Sequence, residues 1–399
     1  MKAVVFHGVG DIRLDDVPEP TIQEPTDAIV RLTASAICGT DLHFVRGTMP
    51  GVEEGRILGH EGVGVVEEVG DYVRNLDPGD RVVIPSTIAC GTCSYCRAGY
   101  YAQCDNANPK GPGTAFFGGP EDAGGFDGLQ AEKARIPYAN VGLVKLPDEV
   151  SDDQAILISD IFPTGYQAAD IAEIRDGDIV CVFGCGPVGP FAIWSAKHLG
   201  AGRVIAVDAI SDRLEAARRQ GAEIVNFEEE DPLELIKEMT RGIGPDRVID
   251  AVGVDANRAP EADDQEFEEA IDELVQERAP EGPQWQPGSG PTQVLEWAVE
   301  VVAKAGTICL IGVYPPTVKT YPIGESMMKN LTLTMGNCNH RKYIPRLVEL
   351  TRAGVVDPSA LITQIADAHD VITAYEEFDR RRPGWLKVAL DPSAVTAAA

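Results

Sequence analysis

Four closely spaced cysteines are the first residues whose types and spacing suit a chemical role. They are Cys90, Cys93, Cys96 and Cys104, in "CGTCSYCRAGYYAQC". Four thiolates within reach of one another form a closed tetrahedral zinc site. Since no coordination position stays open for a substrate, the metal in such a site stabilises the fold and does not catalyse. A [4Fe–4S] cluster also takes four cysteines, usually at other spacings. Two disulfides are the third alternative, disfavoured in a reducing compartment. We therefore predict a structural zinc site.

A second group of polar residues is spread over the first 160 positions. Its members are Cys38, Thr40 and His43 in "ICGTDLH", His60 and Glu61 in "GHEGVG", and Asp160 in "LISDIFPTGYQ". Taken singly, each has an ordinary explanation, such as a small core cysteine, a turn histidine or a helix N-cap. Taken together, Cys38, His60 and Asp160 offer sulfur, nitrogen and oxygen ligands. Three such ligands leave a fourth zinc position open to a substrate, as in catalytic zinc sites.

A glycine-rich turn predicts a dinucleotide site. Gly184, Gly186 and Gly189 follow the apolar run "DIVCVF" and open a helical pattern, and Asp208 ends the next apolar run 19 residues after Gly189. Such a turn admits the pyrophosphate to the backbone and the helix N-terminus, while the acidic residue accepts hydrogen bonds from the ribose. Because Asp208 would repel a 2′-phosphate, NAD is favoured over NADP. Pro187, Val188 and Arg213 complete the predicted contacts at this end of the site.

The order of strand and helix patterns predicts a β-rich unit followed by a doubly wound α/β domain. Short alternating strands fill the first 155 residues, whereas apolar strands alternate with helices from about 162 to 316, as in a doubly wound parallel sheet. The tail from 317 to 399 is expected to return to the first domain. Residues 254–291 form an acidic insertion, interpreted as a surface excursion, with a substrate-gating lid as the alternative. A helix in it would place Phe267, Ile271, Leu274 and Val275 on one face.

Charge and hydropathy exclude several classes of function. The 399 residues carry a net charge of −29, so we expect neither a nucleic-acid nor a membrane partner. The sequence contains no apolar run of eighteen residues, and its start alternates like a strand, unlike a signal peptide. We therefore expect a cytoplasmic protein. The 63 acidic and few lysine residues suit a salt-rich cytoplasm, although an ordinary acidic enzyme has the same composition.

The motif "GHEGVGVVEEVGDYV" resembles the zinc signature of the medium-chain, zinc-dependent alcohol dehydrogenases. The other motifs follow in that family's order along nearly the whole chain. The resemblance implies a GroES-like β-barrel catalytic domain, residues 1–161 and 317–399, and a Rossmann domain, residues 162–316. Many members have a second cysteine where this chain has Asp160. In that respect "SDIFPTGYQ" resembles the branch of glutathione-independent formaldehyde dehydrogenases, whose zinc ligands are Cys, His and Asp.

The resemblance also implies a reaction. A catalytic zinc on Cys38, His60 and Asp160, the second of two per chain, would lower the pKa of an alcohol hydroxyl. Thr40 would take the proton and pass it through a cofactor ribose hydroxyl to His43, while hydride moves to NAD. Glu61 would lie near the metal and approach it when the substrate position empties. Gly312 and Val313 are expected beside the nicotinamide.

Three functions therefore stand as hypotheses. The first is an NAD-dependent zinc dehydrogenase acting on an alcohol or an aldehyde hydrate. The second is a polyol, sugar or amino-alcohol dehydrogenase with the same zinc chemistry. The third, from a different class, is a non-catalytic NAD-binding protein, against which the intact set of catalytic residues argues. The run "LTLTMGNC" suggests edge-strand pairing in a homodimer or homotetramer, as in members of the family.

Overall fold

A computed structural model describes residues 1–260, 264–275, 277–280 and 282–392, with no account of the side chains of 264–267. The chain divides into two compact units. The first comprises Met1–Pro163, Glu277–Trp285 and Cys338–Ala399, and the second comprises Thr164–Gln276 and Gln286–Asn337. None of the described helices is long and apolar enough to cross a lipid bilayer.

The described residues contain fifteen strands and thirteen α-helices. The strands are β1 (Lys2–Gly8), β2 (Asp11–Asp16), β3 (Ala28–Ile37), β4 (Gly62–Val69), β5 (Arg81–Ile84), β6 (Lys133–Ile136), β7 (Val144–Lys145), β8 (Ile179–Phe183), β9 (Arg203–Asp208), β10 (Glu223–Asn226), β11 (Arg247–Asp250), β12 (Thr307–Leu310), β13 (Thr332–Met335), β14 (Gln364–Asp367) and β15 (Val388–Asp391). The helices are α1 (Gly39–Arg46), α2 (Ser94–Arg97), α3 (Ala139–Gly142), α4 (Asp152–Ser159), α5 (Ile161–Ile171), α6 (Val188–His198), α7 (Ser211–Arg219), α8 (Pro232–Met239), α9 (Asp264–Leu274), α10 (Gln293–Val301), α11 (Ile323–Met328), α12 (His340–Arg352) and α13 (Val371–Asp379).

The second unit is built on a six-stranded parallel sheet. Its strand order is β10-β9-β8-β11-β12-β13, and every pair in it is parallel. The inner strands are apolar and buried, as in β8 with its sequence "IVCVF". They form a sheet of this kind because helices cover both faces. The order reverses between β8 and β11, which is where such sheets bind ligands.

The first unit is organised around the ten-residue strand β3. It pairs antiparallel with β4, β6 and β15, in a sheet with the order β14-β15-β3-β4-β5-β7. The β3–β4 register shifts twice, between Ile29 and Val30 and between Leu32 and Ala34. Such bulges increase local twist and bend the strand. The pairing of β3 with β15 brings the end of the chain beside residues that precede α1.

The first boundary between the observed units falls at Pro163, close to the predicted boundary at 161. The observed units differ from the predicted domains at two other places. The second unit, however, continues to Asn337, beyond the predicted end at 316, because β13 adds to its sheet next to β12. Residues 277–285, predicted to belong to a surface excursion, pack in the first unit instead.

The helix predicted inside the acidic insertion is present as α9. Leu274 and Val275 are buried with Val254, and Ile271 packs against the same cluster. These three side chains therefore share the predicted buried face, whereas the side chain of Phe267 lies outside the described residues.

The segment 277–285 is fastened to the first unit through a buried ion pair. Trp285 is buried among apolar residues that include Phe44 and Phe378, and its backbone N–H donates to Asp379 Oδ2 at 2.8 Å. Asp379 Oδ1 also accepts from Arg46 Nε at 2.9 Å and lies 2.8 Å from Arg46 Nη2. Since Arg46 ends α1, this pair joins the segment, α13 and the helix that begins beside Cys38.

We predict that Asp379→Ala strongly destabilises the first unit. The substitution would leave the Arg46 guanidinium buried without its carboxylate, a loss on the order of 3–5 kcal/mol. Urea unfolding measured by circular dichroism would detect it. Asp11→Ala is the matched control, because the pair of Asp11 with Arg13 is exposed and its removal should leave the urea midpoint unchanged. Equal effects of the two substitutions would contradict the assignment.

Candidate active site

Three separate segments of the first unit deliver the predicted metal ligands. Cys38 is the N-cap residue of α1, and its N–H donates to Asp41 Oδ2 at 2.9 Å, which fixes the turn into the helix. His60 lies two residues before β4, and Asp160 lies between α4 and α5. All three side chains are buried. Burial of such polar groups demands partners, so their positions are tightly constrained.

The distances between the three ligand atoms fit a tetrahedral zinc ion. Cys38 Sγ lies 3.7 Å from Asp160 Oδ2, and His60 Nε2 lies 3.5 Å from the same oxygen. Zinc–ligand bonds of ordinary length at tetrahedral angles would separate these atom pairs by about 3.6 Å and about 3.4 Å. A carboxylate oxygen of Glu61 completes a set in which all four ligand atoms lie within 4.8 Å of one another.

His60 is oriented by a buried carboxylate. Its Nδ1 lies 3.2 Å from Asp41 Oδ1, and because an ionised carboxylate only accepts hydrogen bonds, this neighbour favours a proton on Nδ1. Asp41 Oδ2 accepts from Gln130 Nε2 at 3.2 Å in addition to the Cys38 N–H. Neither ring nitrogen of His60 completes a hydrogen bond of good geometry with a described residue, and Nε2 lies 3.5 Å from Asp160 Oδ2. This arrangement leaves Nε2 suited to bind a metal.

Asp160 has a partner that the sequence patterns did not indicate. Its Oδ1 lies 2.7 Å from His340 Nε2, and His340 Nδ1 lies 3.1 Å from Thr87 Oγ1. Although burial raises the pKa of Asp160, the contacts of its carboxylate with His340 and His60 hold that pKa well below its usual value. His340 belongs to no recognisable motif, and the available signal was that the chain has only six histidines.

Glu61 forms a fully buried ion pair with Lys387. Its carboxylate oxygens lie 2.7 and 2.6 Å from Lys387 Nζ, which also donates to the carbonyl of Ile37 at 3.0 Å. Burial raises the pKa of Glu61 to about 7, against the lowering effect of Lys387. Sequence reasoning missed Lys387, although a lysine within the apolar run "WLKVAL" is itself a signal of a buried partner.

The predicted proton-relay residues lie on α1. Thr40 Oγ1 is 4.0 Å from Cys38 Sγ, and His43 follows three residues later, on the same helical face. His43 is buried, and its Nδ1 lies 2.8 Å from Thr48 Oγ1. The ring is therefore held in one orientation near the end of the helix.

An aromatic side chain borders the same site. The Phe116 ring meets His60 edge-on with centroids 6.2 Å apart and stacks with Phe44 at 6.2 Å. Phe117, from the same loop, is buried in a different core. Phe116 is thus the phenylalanine of this pair that gives the ligand cluster an apolar neighbour.

The four-cysteine segment folds into a compact sulfur cluster. Cys90 Sγ and Cys96 Sγ lie 4.0 Å apart, as do Cys93 Sγ and Cys104 Sγ. Sulfurs around a tetrahedral zinc are separated by about 3.8 Å. Although burial raises the pKa of the Cys90 thiol, hydrogen bonds from Thr92 and the Cys93 N–H lower it to about 6. None of the nine cysteines, all among the described residues, forms a disulfide.

The predicted dinucleotide residues gather at the carboxyl ends of β8 and β9. A Cβ atom on Gly189 would lie 2.1 Å from Gly184 O, and one on Gly184 would lie 2.5 Å from Val252 Cγ2. Gly186 differs, since within 4 Å its Cβ would meet one atom, Arg213 Nη1 at 3.7 Å. The first and third glycines therefore serve chain packing, while the second leaves backbone accessible, as a bound pyrophosphate requires.

The helix that follows these glycines begins as predicted. Pro187 is the N-cap residue of α6 and Val188 its first residue. Three N–H groups are bound by Asp208, whose Oδ2 accepts from Cys185 N at 2.7 Å and whose Oδ1 accepts from Ala209 N and Ile210 N at 2.8 and 2.9 Å. A carboxylate has about four acceptor positions, so Asp208 braces the glycine turn and retains capacity for a ribose hydroxyl.

Gly312 and Val313 lie after β12, two strands along the sheet from β8. A Cβ atom on Gly312 would lie 2.2 Å from Gly253 N, and Val313 O accepts from Val254 N at 3.0 Å. Their closest contacts are thus with the turn that follows β11, at the same carboxyl edge of the parallel sheet.

Comparison with known proteins identifies the family. Residues 24–148 match the family "Alcohol dehydrogenase GroES-like domain", and residues 187–262 match "Zinc-binding dehydrogenase". The chain is 38% identical over 396 residues to the zinc-type alcohol dehydrogenase-like protein AdhB of Bacillus subtilis (strain 168), covering 98% of this chain and 100% of that protein. The chain belongs to the zinc-type alcohol dehydrogenases.

A solved structure agrees with the assignment. Alcohol dehydrogenase TADH from Thermus sp. ATN1 superposes with a TM-score of 0.81 at 35% identity, covering 98% of this chain and 99% of that one. The predicted combination of a GroES-like domain with a Rossmann domain is confirmed, and this zinc-type alcohol dehydrogenase is a zinc-dependent alcohol oxidoreductase.

The likeness to the formaldehyde dehydrogenase branch is partial. Glutathione-independent formaldehyde dehydrogenase of Pseudomonas aeruginosa (strain LESB58) is 38% identical over 268 residues, which is 64% of this chain and 66% of that protein. The similarity to AdhB covers a much larger share of this chain.

We predict that two glycine substitutions separate packing from cofactor binding in this zinc-type alcohol dehydrogenase. Gly186→Ala should preserve the melting temperature yet weaken NAD binding about tenfold or more, equivalent to at least about 1.4 kcal/mol, because its methyl group would occupy the phosphate approach. Gly189→Ala should lower the melting temperature, since its Cβ meets Gly184 O. Calorimetry with NAD measures both effects, and unchanged affinity in Gly186→Ala would refute the phosphate assignment.

Proposed function

We propose that this enzyme oxidises an alcohol with NAD as the hydride acceptor, and that the reacting oxygen lies beside Cys38, His60 and Asp160. The supporting observation is the spacing of their ligand atoms, 3.7 Å from Sγ to Oδ2 and 3.5 Å from Nε2 to Oδ2. A zinc ion held there would act as a Lewis acid and lower the pKa of the substrate hydroxyl. The three protein ligands leave a fourth position for that oxygen.

The enzyme would carry a second zinc in the sulfur cluster. Its four sulfur atoms lie within 4.8 Å of one another. Because four thiolates fill a tetrahedral coordination shell, this ion would stabilise the fold without contacting substrate. Two zinc ions per chain follow from the two donor sets.

Residues of α1 would remove the proton. The Thr40 hydroxyl, 4.0 Å from Cys38 Sγ, would accept the substrate proton while donating its own onward through a ribose hydroxyl of the cofactor to His43. Thr48 keeps the His43 ring in place through Nδ1. Glu61, paired with Lys387, would remain close to the metal and approach it between turnovers.

The preference for NAD over NADP would rest on Asp208. Its carboxylate is buried at the end of β9, where a 2′-phosphate would meet negative charge. Arg213, close to Gly186, would contact the pyrophosphate. Gly312 and Val313, at the carboxyl end of β12, would border the nicotinamide.

We propose that the substrate carries an apolar substituent. Phe116 packs against His60 and Phe44, so the surroundings of the ligand cluster offer apolar contact on that side. A polyol or sugar would leave its hydroxyl groups unpaired against such a surface. Simple alcohols, or the hydrate of an aldehyde, fit these surroundings better.

The active form is proposed to be a homodimer or homotetramer in the cytoplasm. β13 is the last strand of its sheet, and Met327 and Met328, which precede it, are 80% and 85% exposed. Exposed apolar side chains beside a sheet edge are typical of subunit contacts. The net charge of −29 further suggests an enzyme that tolerates high salt.

The test of this function is NADH formation from a panel of short alcohols, formaldehyde, polyols, glucose and threonine, each assayed with NAD and NADP at low and molar salt. Turnover of apolar alcohols with NAD is the expected result. Turnover restricted to polyols would refute the substrate class. Protein that contains one zinc ion per chain and binds NAD without any turnover would support the non-catalytic alternative.

We predict that Asp160→Ala lowers the rate of alcohol oxidation by a factor of roughly a thousand or more, which corresponds to about 4 kcal/mol in the activation barrier. The zinc content should fall from two ions per chain to one, while NAD still binds. Asp153→Ala, on the exposed side of α4, is the matched control and should keep both zinc ions. Full activity of Asp160→Ala would disprove the ligand assignment.

A further inference from the structure

The start of α12 meets the candidate catalytic centre through one side chain. His340 is the first residue of this helix and is buried, with 3% of its surface exposed. We propose that His340 is a positioning residue that binds Asp160 Oδ1 and thereby keeps Oδ2 facing Cys38 and His60. This inference rests on the proposed function, because it assigns a role relative to the zinc ion that Asp160 would bind.

The direction of the hydrogen bond follows from the chemistry of its two groups. An ionised carboxylate has no proton to give, so His340 Nε2 carries the hydrogen and donates it to Asp160 Oδ1 over 2.7 Å. A bond to an ionised acceptor is short and strong. With Oδ1 occupied in this way, Asp160 presents Oδ2 alone to Cys38 Sγ and His60 Nε2, at 3.7 and 3.5 Å.

The other ring nitrogen fixes the plane of the imidazole. His340 Nδ1 lies 3.1 Å from Thr87 Oγ1, and this hydroxyl also lies 3.3 Å from the carbonyl oxygen of Cys338. Thr87 follows β5 and is buried. A ring held at both nitrogens cannot rotate without breaking two hydrogen bonds, so the direction of its bond to Asp160 is set by the fold.

The backbone that carries His340 is attached to the sulfur cluster. Asn339 is the N-cap residue of α12, yet its side chain makes no capping bond. Its Oδ1 accepts instead from Ala102 N at 2.9 Å, two residues before Cys104. Asparagine is among the preferred capping residues, yet the Asn339 side chain bonds Ala102 instead of the helix. We infer that this contact fixes the position at which α12 begins. The segment that leads to Cys104 is therefore bonded to the residue next to His340.

The two possible roles of His340, positioning Asp160 or only forming a hydrogen bond to it, predict different effects on zinc binding. If His340 only satisfied Asp160, replacing it would lower stability and leave the retention of zinc unchanged. If it positions a ligand, its loss should weaken metal binding 10–100-fold, as is typical for groups that orient metal ligands.

The experiment measures zinc release to excess chelator from wild type, His340→Ala, His340→Gln and His369→Ala. In wild type we expect two ions with separate release rates. His340→Ala should release one ion at least about tenfold faster while the other, in the sulfur cluster, keeps its rate and serves as the internal control. His340→Gln, whose amide can donate, should lie between these limits. His369 is exposed, so His369→Ala should match wild type.

Cobalt substitution supplies a second readout, independent of turnover. After replacement of zinc by Co²⁺, His340→Gln should have a visible spectrum different from that of wild type, because the oxygen ligand from Asp160 has shifted. If His340→Ala fails to fold, His340→Gln alone tests the proposal. Wild-type release rates and an unchanged spectrum in the His340 variants, with two ions bound, would overturn the positioning role alone. A wild-type protein that binds one ion would overturn the proposed active site as well.

Discussion

The burial of negative charge beside Cys38 and His60 is the constraint on which the first unit depends. Asp41 and Glu61 are fully buried and Asp160 is 9% exposed, although carboxylates are seldom buried without compensation. Burial also raises the pKa of the Cys38 thiol. A divalent cation at the point where the ligand atoms converge would reverse this tendency and favour the thiolate. Two of the buried carboxylates have partners from the last part of the chain, Lys387 for Glu61 and His340 for Asp160.

Sheet pairing explains how distant parts of the chain supply the compensation. β15 runs antiparallel to β3 with Val388 opposite Ile37, and this register carries Lys387 to the Ile37 carbonyl and to Glu61. Helix α12 similarly carries His340 to Asp160. The tail of the chain therefore completes the electrostatics of a centre whose metal ligands come from the first 160 residues. Loss of either contact would leave a buried carboxylate without its cationic or hydrogen-bonding partner, a costly arrangement.

The features that could be predicted from the sequence are those formed by closely spaced residues. The cysteines of the sulfur cluster lie within 15 residues and the glycines after β8 within six, so their chemistry could be inferred from nearby positions. Cys38, His60 and Asp160 were recognisable because each sits in a motif that resembles one family. His340 and Lys387 lie 180 and 326 residues from their partners, and no local pattern encodes such a distance.

The domain boundary near 316 was misplaced for a related reason. β13 has four residues with exposed ends, so its pattern lacks the apolar continuity that marked β8 and β12 as buried parallel strands. The packing of Trp285 was hidden by the acidic, proline-rich composition around it. In both cases tertiary contacts, through the edge of a sheet and through the Arg46–Asp379 pair, outweighed what the local composition indicates.

The measurement that tests the central claim most directly is anomalous X-ray scattering at the zinc absorption edge from a crystal of the purified enzyme. The account predicts two peaks per chain. One should lie among the sulfurs of Cys90, Cys93, Cys96 and Cys104, and the other within bonding distance of Cys38 Sγ, His60 Nε2 and Asp160 Oδ2. A single peak in the sulfur cluster, or a second peak that Asp160 does not contact, would contradict it.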